Sequence, residues 1–192
     1  MDKINWSNYT YDDFELFCNA LFMFEFGKKY VPFSASGRDG GIDGFFSGTY
    51  MKQTGNWRFQ FKFYKSARSE GVSSLKSQLK KEAEKIADEN FFLLATNVEL
   101  LPQEITLLSE VFNNQMLLNQ KNCKALIWDG AKLYNLLIQY PILMLWLNDG
   151  FKTAQLKTYQ TVFGEQLRES GFRRIRPTKC MLRTYNPAFS FA

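Results

Sequence analysis

The sequence predicts an α/β protein whose mixed β-sheet is flanked by helices. Segments with a helical hydrophobic period alternate along the chain with short strand-like segments. The nearly all-apolar segment Phe91–Thr96 is joined through a helix to a further strand, Lys124–Trp128, which predicts a parallel pair. An apolar run with no alternation is typical of a strand buried on both faces, so 91–96 is expected in the middle of the sheet.

The first helix is predicted over Tyr11–Phe26. Acidic residues lie in its first turn, where they interact favourably with the helix dipole, and Gly27 follows its last residue. Pro102 begins another predicted helix, because proline is favoured in the first helical turn. The remaining helices are predicted from hydrophobic period over 72–88, 102–118 and 131–139.

The segment Trp57–Tyr64 alternates between apolar and polar residues, which predicts a strand with two different faces. Another strand is predicted over Ile42–Tyr50, after the glycine-rich residues 37–41. The predicted core order is α-β-β-β-α-β, followed by a further helix, strand and helix. Of the first three strands, the residue pattern locates only these two.

The chain contains no histidine among its 192 residues, which excludes histidine nucleases, Ser-His-Asp hydrolases and zincins. Its cysteines, Cys18, Cys123 and Cys180, are far apart and form no CxxC pair. This spacing argues against a zinc site and a disulfide framework, and favours a reducing, cytoplasmic location. The most apolar segment, Leu136–Leu147, is too short to span a bilayer, so no membrane association is expected.

Charge is distributed unevenly along the chain. Residues 1–150 carry 16 basic and 17 acidic side chains, whereas residues 151–192 carry 8 basic and 2 acidic ones. With a turn signal at Asn148–Gly150, this predicts a first domain over 1–150 and a basic C-terminal extension over 151–192. The extension is a linker, the start of a further module, or a phosphate-neutralising tail.

One group of polar residues stands out. Asp43 lies in a glycine-rich segment, and sixteen residues separate it from Gln60, which shares a strand face with Lys62. If 42–50 and 57–64 pair as a hairpin, Asp43 lies opposite the later part of the second strand. An acid, an amide oxygen and an ammonium group then converge at one end of the hairpin.

This trio suits phosphodiester hydrolysis. Asp43, the Gln60 side-chain oxygen and the Phe61 carbonyl are hard ligands of the kind that Mg²⁺ prefers, with Mn²⁺ as a substitute. Lys62 could orient or deprotonate the attacking water, or stabilise charge on the phosphate. Glu15, on the first helix, could add a further carboxylate at the rim of the core.

Gly37–Asp43 followed by Gln60–Lys62 resembles the Mrr-like restriction endonuclease domain of the PD-(D/E)XK nuclease superfamily, in which a G-x-D-G-G-I-D segment precedes a Q-x-K strand. The resemblance extends to Phe14–Glu15 in the first helix, to Phe91–Asn97 and to Ile127–Leu133, and covers about residues 11–140. It implies a restriction-endonuclease-like mixed sheet and a Mg²⁺-dependent endonuclease acting on double-stranded DNA.

Carried over by position, the resemblance makes Asp43 the metal-binding acid, Gln60 the second acidic-type position and Lys62 the catalytic lysine, with Glu15 as an accessory ligand. Gln60 departs from the wider superfamily, where Asp or Glu is usual, so metal affinity is expected to be lower. Such domains resemble N-terminal effector nucleases of bacterial anti-phage defence proteins. The implied partners are DNA, further copies of the chain, and a fused or associated sensor or ATPase module.

Basic residues near the motif are candidates for contacts with backbone phosphates. They are Lys65, Arg68 and Arg38. The near-neutral charge of residues 1–150 means that a DNA-binding surface must come from clustering, the C-terminal extension, another domain or further subunits.

Several alternatives remain open at this point. Asp43 could simply cap a turn, Gln60 and Lys62 could lie on a solvated strand face, and Glu15 could be an ordinary helix acid. The protein could also be a binding module that has kept a nuclease fold without activity. RNA is an alternative substrate, because the phosphodiester chemistry is the same.

Overall fold

A computed structural model describes residues 4–33, 41–65 and 68–148, with the side chains of Arg68, Ser69 and Asn148 left out. The chain divides into two compact units, Met1–Tyr134 and Asn135–Ala192. The predicted boundary near 150, the extension over 151–192 and Arg38 all lie outside the described residues.

The first unit is built on a five-stranded mixed sheet, as the sequence predicts. The strands are β1 (Tyr30–Pro32), β2 (Gly44–Tyr50), β3 (Gln53–Lys62), β4 (Phe91–Thr96) and β5 (Lys124–Trp128). Their spatial order is the same as their order in the chain. The first three strands are antiparallel, and β3, β4 and β5 are parallel, so the predicted parallel pair is confirmed.

Five helices accompany the sheet in the described residues. They are α1 (Tyr11–Phe26), α2 (Arg68–Lys85), α3 (Pro102–Leu118), α4 (Gly130–Leu137) and α5 (Pro141–Asn148), with short 3-10 turns at Trp6–Asn8 and Gly27–Lys29. A capping box between Thr10 and Asp13 begins α1, and Gly27 ends it with a φ of 73°. The predicted bounds of α1, α3, β4 and β5 are confirmed.

Three elements differ from the prediction. The strand β1 has only three residues and no alternation that a pattern could detect. β3 begins at Gln53 rather than Trp57, because Met51 and Lys52 adopt left-handed φ values of 47° and 65° and close a tight turn without glycine. α5 was not predicted as a helix, although Pro141 at its first position is a favourable start.

One face of the sheet is covered by α1. The Phe22 ring lies 5.2 Å from Phe59 and 5.4 Å from Phe61, between ring centroids. Phe14, near the start of α1, contacts Phe63 at 5.5 Å, after the end of β3. Since Phe26 at the other end of α1 lies 6.1 Å from Trp57, the helix runs antiparallel to β3 and begins at the carboxyl end of that strand.

The opposite face is covered by α2 and α3. Leu75, Leu79 and Ile86 of α2 belong to one buried cluster together with residues of α3 and β4. Phe92 of β4 stacks on Phe112 of α3 with ring centroids 5.0 Å apart. Because β4 is apolar on both faces, it contributes to both cores, which explains its unbroken run of apolar residues.

In the second unit, the structure describes residues 135–148. Successive backbone hydrogen bonds turn the chain after α4, and α5 follows from Pro141. Most of the apolar side chains of α5 are buried, including those of Leu143 and Trp146. Across the described ranges of the chain, no helix has both the length and the apolar composition needed to cross a membrane.

Candidate functional site

The site lies where β2 and β3 separate. The last backbone contact of the hairpin at this end is Asp43 N–H donating to the Phe59 carbonyl at 3.0 Å. Beyond it, the carboxylate replaces the backbone: Asp43 Oδ2 accepts from the Phe61 N–H at 2.5 Å. The Asp43 carbonyl also accepts from Phe33 N–H at 3.1 Å, so the acid is held from both neighbouring strands.

Gln60 is the second member of the site. Its Nε2 donates to Asp43 Oδ2 at 2.7 Å, and its side chain is almost fully buried. The amide oxygen Oε1 is buried and accepts no hydrogen bond from the described residues. An unsatisfied buried acceptor beside a carboxylate is costly, and a cation could satisfy it. A half-turn of the amide would exchange its oxygen and nitrogen beside Asp43.

The Phe61 carbonyl faces the same gap. In an extended strand, the N–H and C=O of one residue point to the same side, and the Phe61 N–H points to Asp43. The residue that β2 places at this edge, Gly44, pairs with Phe59, so β2 offers the Phe61 carbonyl no ladder partner. The predicted oxygen ligands of Asp43, Gln60 and Phe61 therefore border one gap.

Lys62 is the next residue along β3 and ends the strand. It lies on the same strand face as Gln60, is half-buried, and pairs across β4 with Thr96. Its positive charge lowers the pKa of Asp43, which shows that the two groups interact. The acid, amide and ammonium groups thus meet at one end of the hairpin.

Glu15 approaches from α1. Its side chain is buried, and no described residue donates a hydrogen bond or forms an ion pair to its carboxylate. Burial raises the pKa of Glu15, and the negative charges of Asp43 and Asp12 raise it further. Glu15 is therefore close enough to Asp43 for the two carboxylates to repel each other.

Burial raises the pKa of Asp43 from an ordinary 3.8 to about 6. The Phe61 N–H and the Lys62 ammonium oppose this rise, whereas the charge of Glu82 adds to it and that of Arg58 opposes it. Two buried carboxylates whose pKa values are raised form a site that a divalent cation would stabilise.

Sequence reasoning missed a buried charge cluster beside the site. Arg58, on the same face of β3 as Gln60, lies 3.3 Å from Glu82 Oε2 and 3.5 Å from Glu89 Oε1. Lys85 Nζ lies 2.9 Å from the other oxygen of Glu82. Arg58 and Glu82 are each only 4% exposed in their side chains, so this cluster is covered by α2 rather than by solvent.

A signal for Glu82 was present in the sequence. The buried apolar residues of α2 include Leu75, Leu79 and Ile86, and Glu82 continues their spacing of three and four residues. The surrounding lysines and glutamates favoured a solvated, charged face, and that interpretation is wrong for Glu82. An acid at a buried position of a helical stripe indicates a partner on the facing strand, which here is Arg58.

The chain leaving β3 is fixed by Asn97, which follows β4. Asn97 Oδ1 accepts from Tyr64 N–H and Asn97 Nδ2 donates to the Tyr64 carbonyl, both at 2.8 Å. The amide acts as a substitute strand partner and holds the backbone two residues beyond Lys62. Lys65 follows as an exposed residue, and the Arg68 side chain is outside the described part.

The turn at Asp129–Gly130, which belongs to the resemblance, has a structural role. Asp129 accepts from the Leu100 N–H at 3.0 Å and from the Lys132 N–H at 2.9 Å. It therefore ties the loop after β4 to the start of α4 and takes no part in the gap at Asp43.

Two of the alternatives left open by the sequence are contradicted. Gln60 does not lie on a solvated face, because α2 covers that side of β3 and leaves Gln60 only 2% exposed. Asp43 does not cap its own turn, because its side chain bonds across the hairpin to Gln60 and Phe61. Among the described residues, no three His, Cys, Asp or Glu side chains are grouped to hold a metal, so the oxygen donors here are mixed in type.

No family model matches this chain, and no curated protein sequence is significantly similar to it.

Proposed function

We propose that this protein is a Mg²⁺-dependent endonuclease that hydrolyses phosphodiester bonds of double-stranded DNA. The observation that carries the proposal is the buried Asp43 carboxylate, which accepts from the Gln60 amide and the Phe61 N–H and interacts with the Lys62 ammonium. Hard oxygen donors beside a lysine, with no histidine in the chain, suit metal-assisted phosphodiester hydrolysis better than acyl transfer.

The order of elements supports a restriction-endonuclease-like core. α1, then β1–β3, then α2 and β4 reproduce the α-β-β-β-α-β order that the resemblance to Mrr-like domains implies. The site lies at the carboxyl end of β3, beside the end of the parallel neighbour β4. Clefts at the carboxyl ends of parallel strands are common places for ligands to bind.

The donor set fits a magnesium ion. Asp43, the Gln60 amide oxygen and the Phe61 carbonyl would hold it, and Glu15 would complete the set directly or through water. The unsatisfied Oε1 of Gln60 is the observation that supports this fit. When bound, the ion supplies Lewis acidity and a more acidic water.

The protein's own groups have separate tasks. Asp43 is fixed by two hydrogen bonds, so its carboxylate needs little rearrangement to act as a ligand. Lys62 stands on the same face as Gln60, where its ammonium orients the attacking water or stabilises charge developing on the phosphate. Asn97 positions the backbone beyond Lys62 through Tyr64.

Binding to DNA requires more positive charge than residues 1–150 carry, since they hold 16 basic and 17 acidic side chains. We therefore propose that further copies of the chain, or a fused or associated sensor or ATPase module, complete the DNA surface. Within this proposal, the protein is a cytoplasmic effector of bacterial anti-phage defence, and Lys65 contacts a backbone phosphate.

The test is cleavage of supercoiled plasmid by the purified chain with Mg²⁺, Mn²⁺ or EDTA, beside Lys62→Ala. We expect metal-dependent nicking that falls by at least about 100-fold in the variant, the usual size of a general acid–base or charge-stabilising contribution. Lys124→Ala, which changes an exposed lysine at the start of β5, is the matched control and should cleave normally.

Circular dichroism and thermal unfolding would check that both variants are folded. Cleavage by Lys62→Ala at the wild-type rate would overturn the assignment. Absence of product together with duplex binding that EDTA leaves unchanged would instead support the inactive binding module. Cleavage of RNA but not of DNA would replace the substrate.

A further inference from the structure

The first turn of α1 lies at the end of the molecule where the site opens. The ring contact between Phe14 and Phe63 at 5.5 Å places the start of α1 beyond the carboxyl end of β3. The contacts of Phe22 with Phe59 and Phe61 fix the direction of the helix relative to that strand. Residues preceding Phe14 on α1 therefore border the gap that contains Asp43.

One face of α1 runs from solvent into this gap. Tyr11, Glu15 and Cys18 follow one another at spacings of four and three residues, so they share a helix face. Their exposures fall in that order from 38% to 9% to 0%. Glu15 is thus at the boundary of the core, and Tyr11 is one helical turn closer to solvent.

The Tyr11 hydroxyl is held protonated beside the two carboxylates. Burial raises the pKa of Tyr11, and the negative charges of Asp43 and Glu15 raise it further, so the phenol remains a neutral donor. No described residue accepts a hydrogen bond from it. Other phenols in the chain differ: Tyr30 donates to Asn19 at 2.6 Å and Tyr50 donates to Glu25 at 2.5 Å.

Resting on the proposed nuclease function, we propose that Tyr11 is a substrate-binding residue whose hydroxyl donates to a phosphate next to the one being cleaved. A neutral donor at the mouth of a site lined by carboxylates matches an anion that arrives with a cation, because it adds attraction without another full charge. Tyrosine hydroxyls are ordinary ligands of backbone phosphates. The four-residue step from Glu15 to Tyr11 is about 6 Å along the helix, so the hydroxyl reaches away from the reacting centre.

The inference is tested with Tyr11→Phe, which keeps the ring and removes only the hydroxyl. Tyr50→Phe is the matched control, because it removes a hydroxyl at the opposite end of β2 from Asp43. For each protein, KM and kcat are measured with a labelled duplex of about 20 base pairs and Mg²⁺, and Kd is measured by fluorescence anisotropy on the same duplex with Ca²⁺. We expect Tyr11→Phe to raise KM and Kd by about tenfold, which matches one hydrogen bond to a charged acceptor, with kcat unchanged.

The outcomes separate this inference from the proposed function. Cleavage by Tyr11→Phe with wild-type KM and Kd would overturn the role of Tyr11 and leave the nuclease intact. A fall in kcat with KM unchanged would also overturn it, because the hydroxyl would then act in the chemical step. If the wild type binds duplex but does not cleave it, the nuclease proposal fails and the ratio of Kd values alone decides Tyr11. Wild-type protein that neither binds nor cleaves overturns both.

Discussion

The substitution Asp43→Asn should make the protein more stable at neutral pH while abolishing cleavage. The amide oxygen that it introduces can still accept from Gln60 Nε2 and the Phe61 N–H, so the hydrogen bonds that organise the gap are retained. What is removed is a buried negative charge. A site that keeps such a charge for metal binding gives up stability to do so.

The size of the effect follows from the pKa of Asp43, which burial raises from 3.8 to about 6. The folded protein holds the proton more tightly than the unfolded chain, so Asp43 favours folding fully below its ordinary pKa and progressively less as pH rises through 6. At about 1.4 kcal/mol for each pH unit, the free energy of unfolding lost between pH 4 and pH 7 is about 3 kcal/mol. Asp43→Asn should recover up to that amount above pH 7 and be indistinguishable from wild type near pH 4.

The assay is urea unfolding of both proteins in EDTA from pH 4 to pH 8, followed by circular dichroism. Glu15, whose pKa is also raised, titrates in both proteins, so the difference between them isolates Asp43. Asp12→Asn, which removes an exposed acid from the first turn of α1, is the control and should give a difference that changes little with pH.

Adding Mg²⁺ provides a second test of the same reasoning. A cation that binds only the folded wild type should raise its stability with concentration and leave Asp43→Asn unchanged. The reasoning is refuted if Asp43→Asn is less stable than wild type at pH 8, or if the difference in unfolding free energy is the same at pH 4 and pH 8.

Two further predictions concern the framework of the site, and both use the same urea titration at pH 7. Gly130→Ala should lower the free energy of unfolding by about 1–3 kcal/mol, because the added Cβ would lie 2.5 Å from the Asn97 carbonyl oxygen; an unchanged midpoint would contradict this. Glu82→Gln should cost about 3 kcal/mol, because it leaves the buried Arg58 with one carboxylate partner fewer, whereas Glu84→Gln on the exposed side of α2 should cost little. Equal effects of the two glutamate substitutions would show that the buried ion pair contributes nothing.

The sequence was sufficient for elements whose signals are local. α1 has a capping box at one end and a glycine at the other, and its predicted bounds agree with the structure. The alternation of Trp57, Phe59 and Phe61 predicted a buried strand face, and all three side chains are fully buried. Both kinds of signal depend on residues close together in the chain, so no knowledge of packing was needed.

Elements that depend on distant partners could not be predicted in the same way. β1 is only three residues long and is held by pairing with β2 across a segment of the chain that separates them. The turn at Met51 and Lys52 carries no glycine, so nothing local indicates that β3 begins at Gln53. In both cases pairing with β2 stabilises a backbone conformation that the residues themselves do not favour.

For the site, the sequence by itself determined which chemistry was available. The absence of histidine and the spacing of Asp43, Gln60 and Lys62 limited it to carboxylate, amide and ammonium groups on a hairpin. Only the tertiary structure decided the environment of those groups: that α2 buries the Gln60 face, that Glu82 lies beneath it against Arg58, and that Tyr11 reaches the same gap from α1. The physical reason is that burial and charge interactions depend on distances between elements far apart in the chain, and those distances are fixed only when the sheet and helices pack.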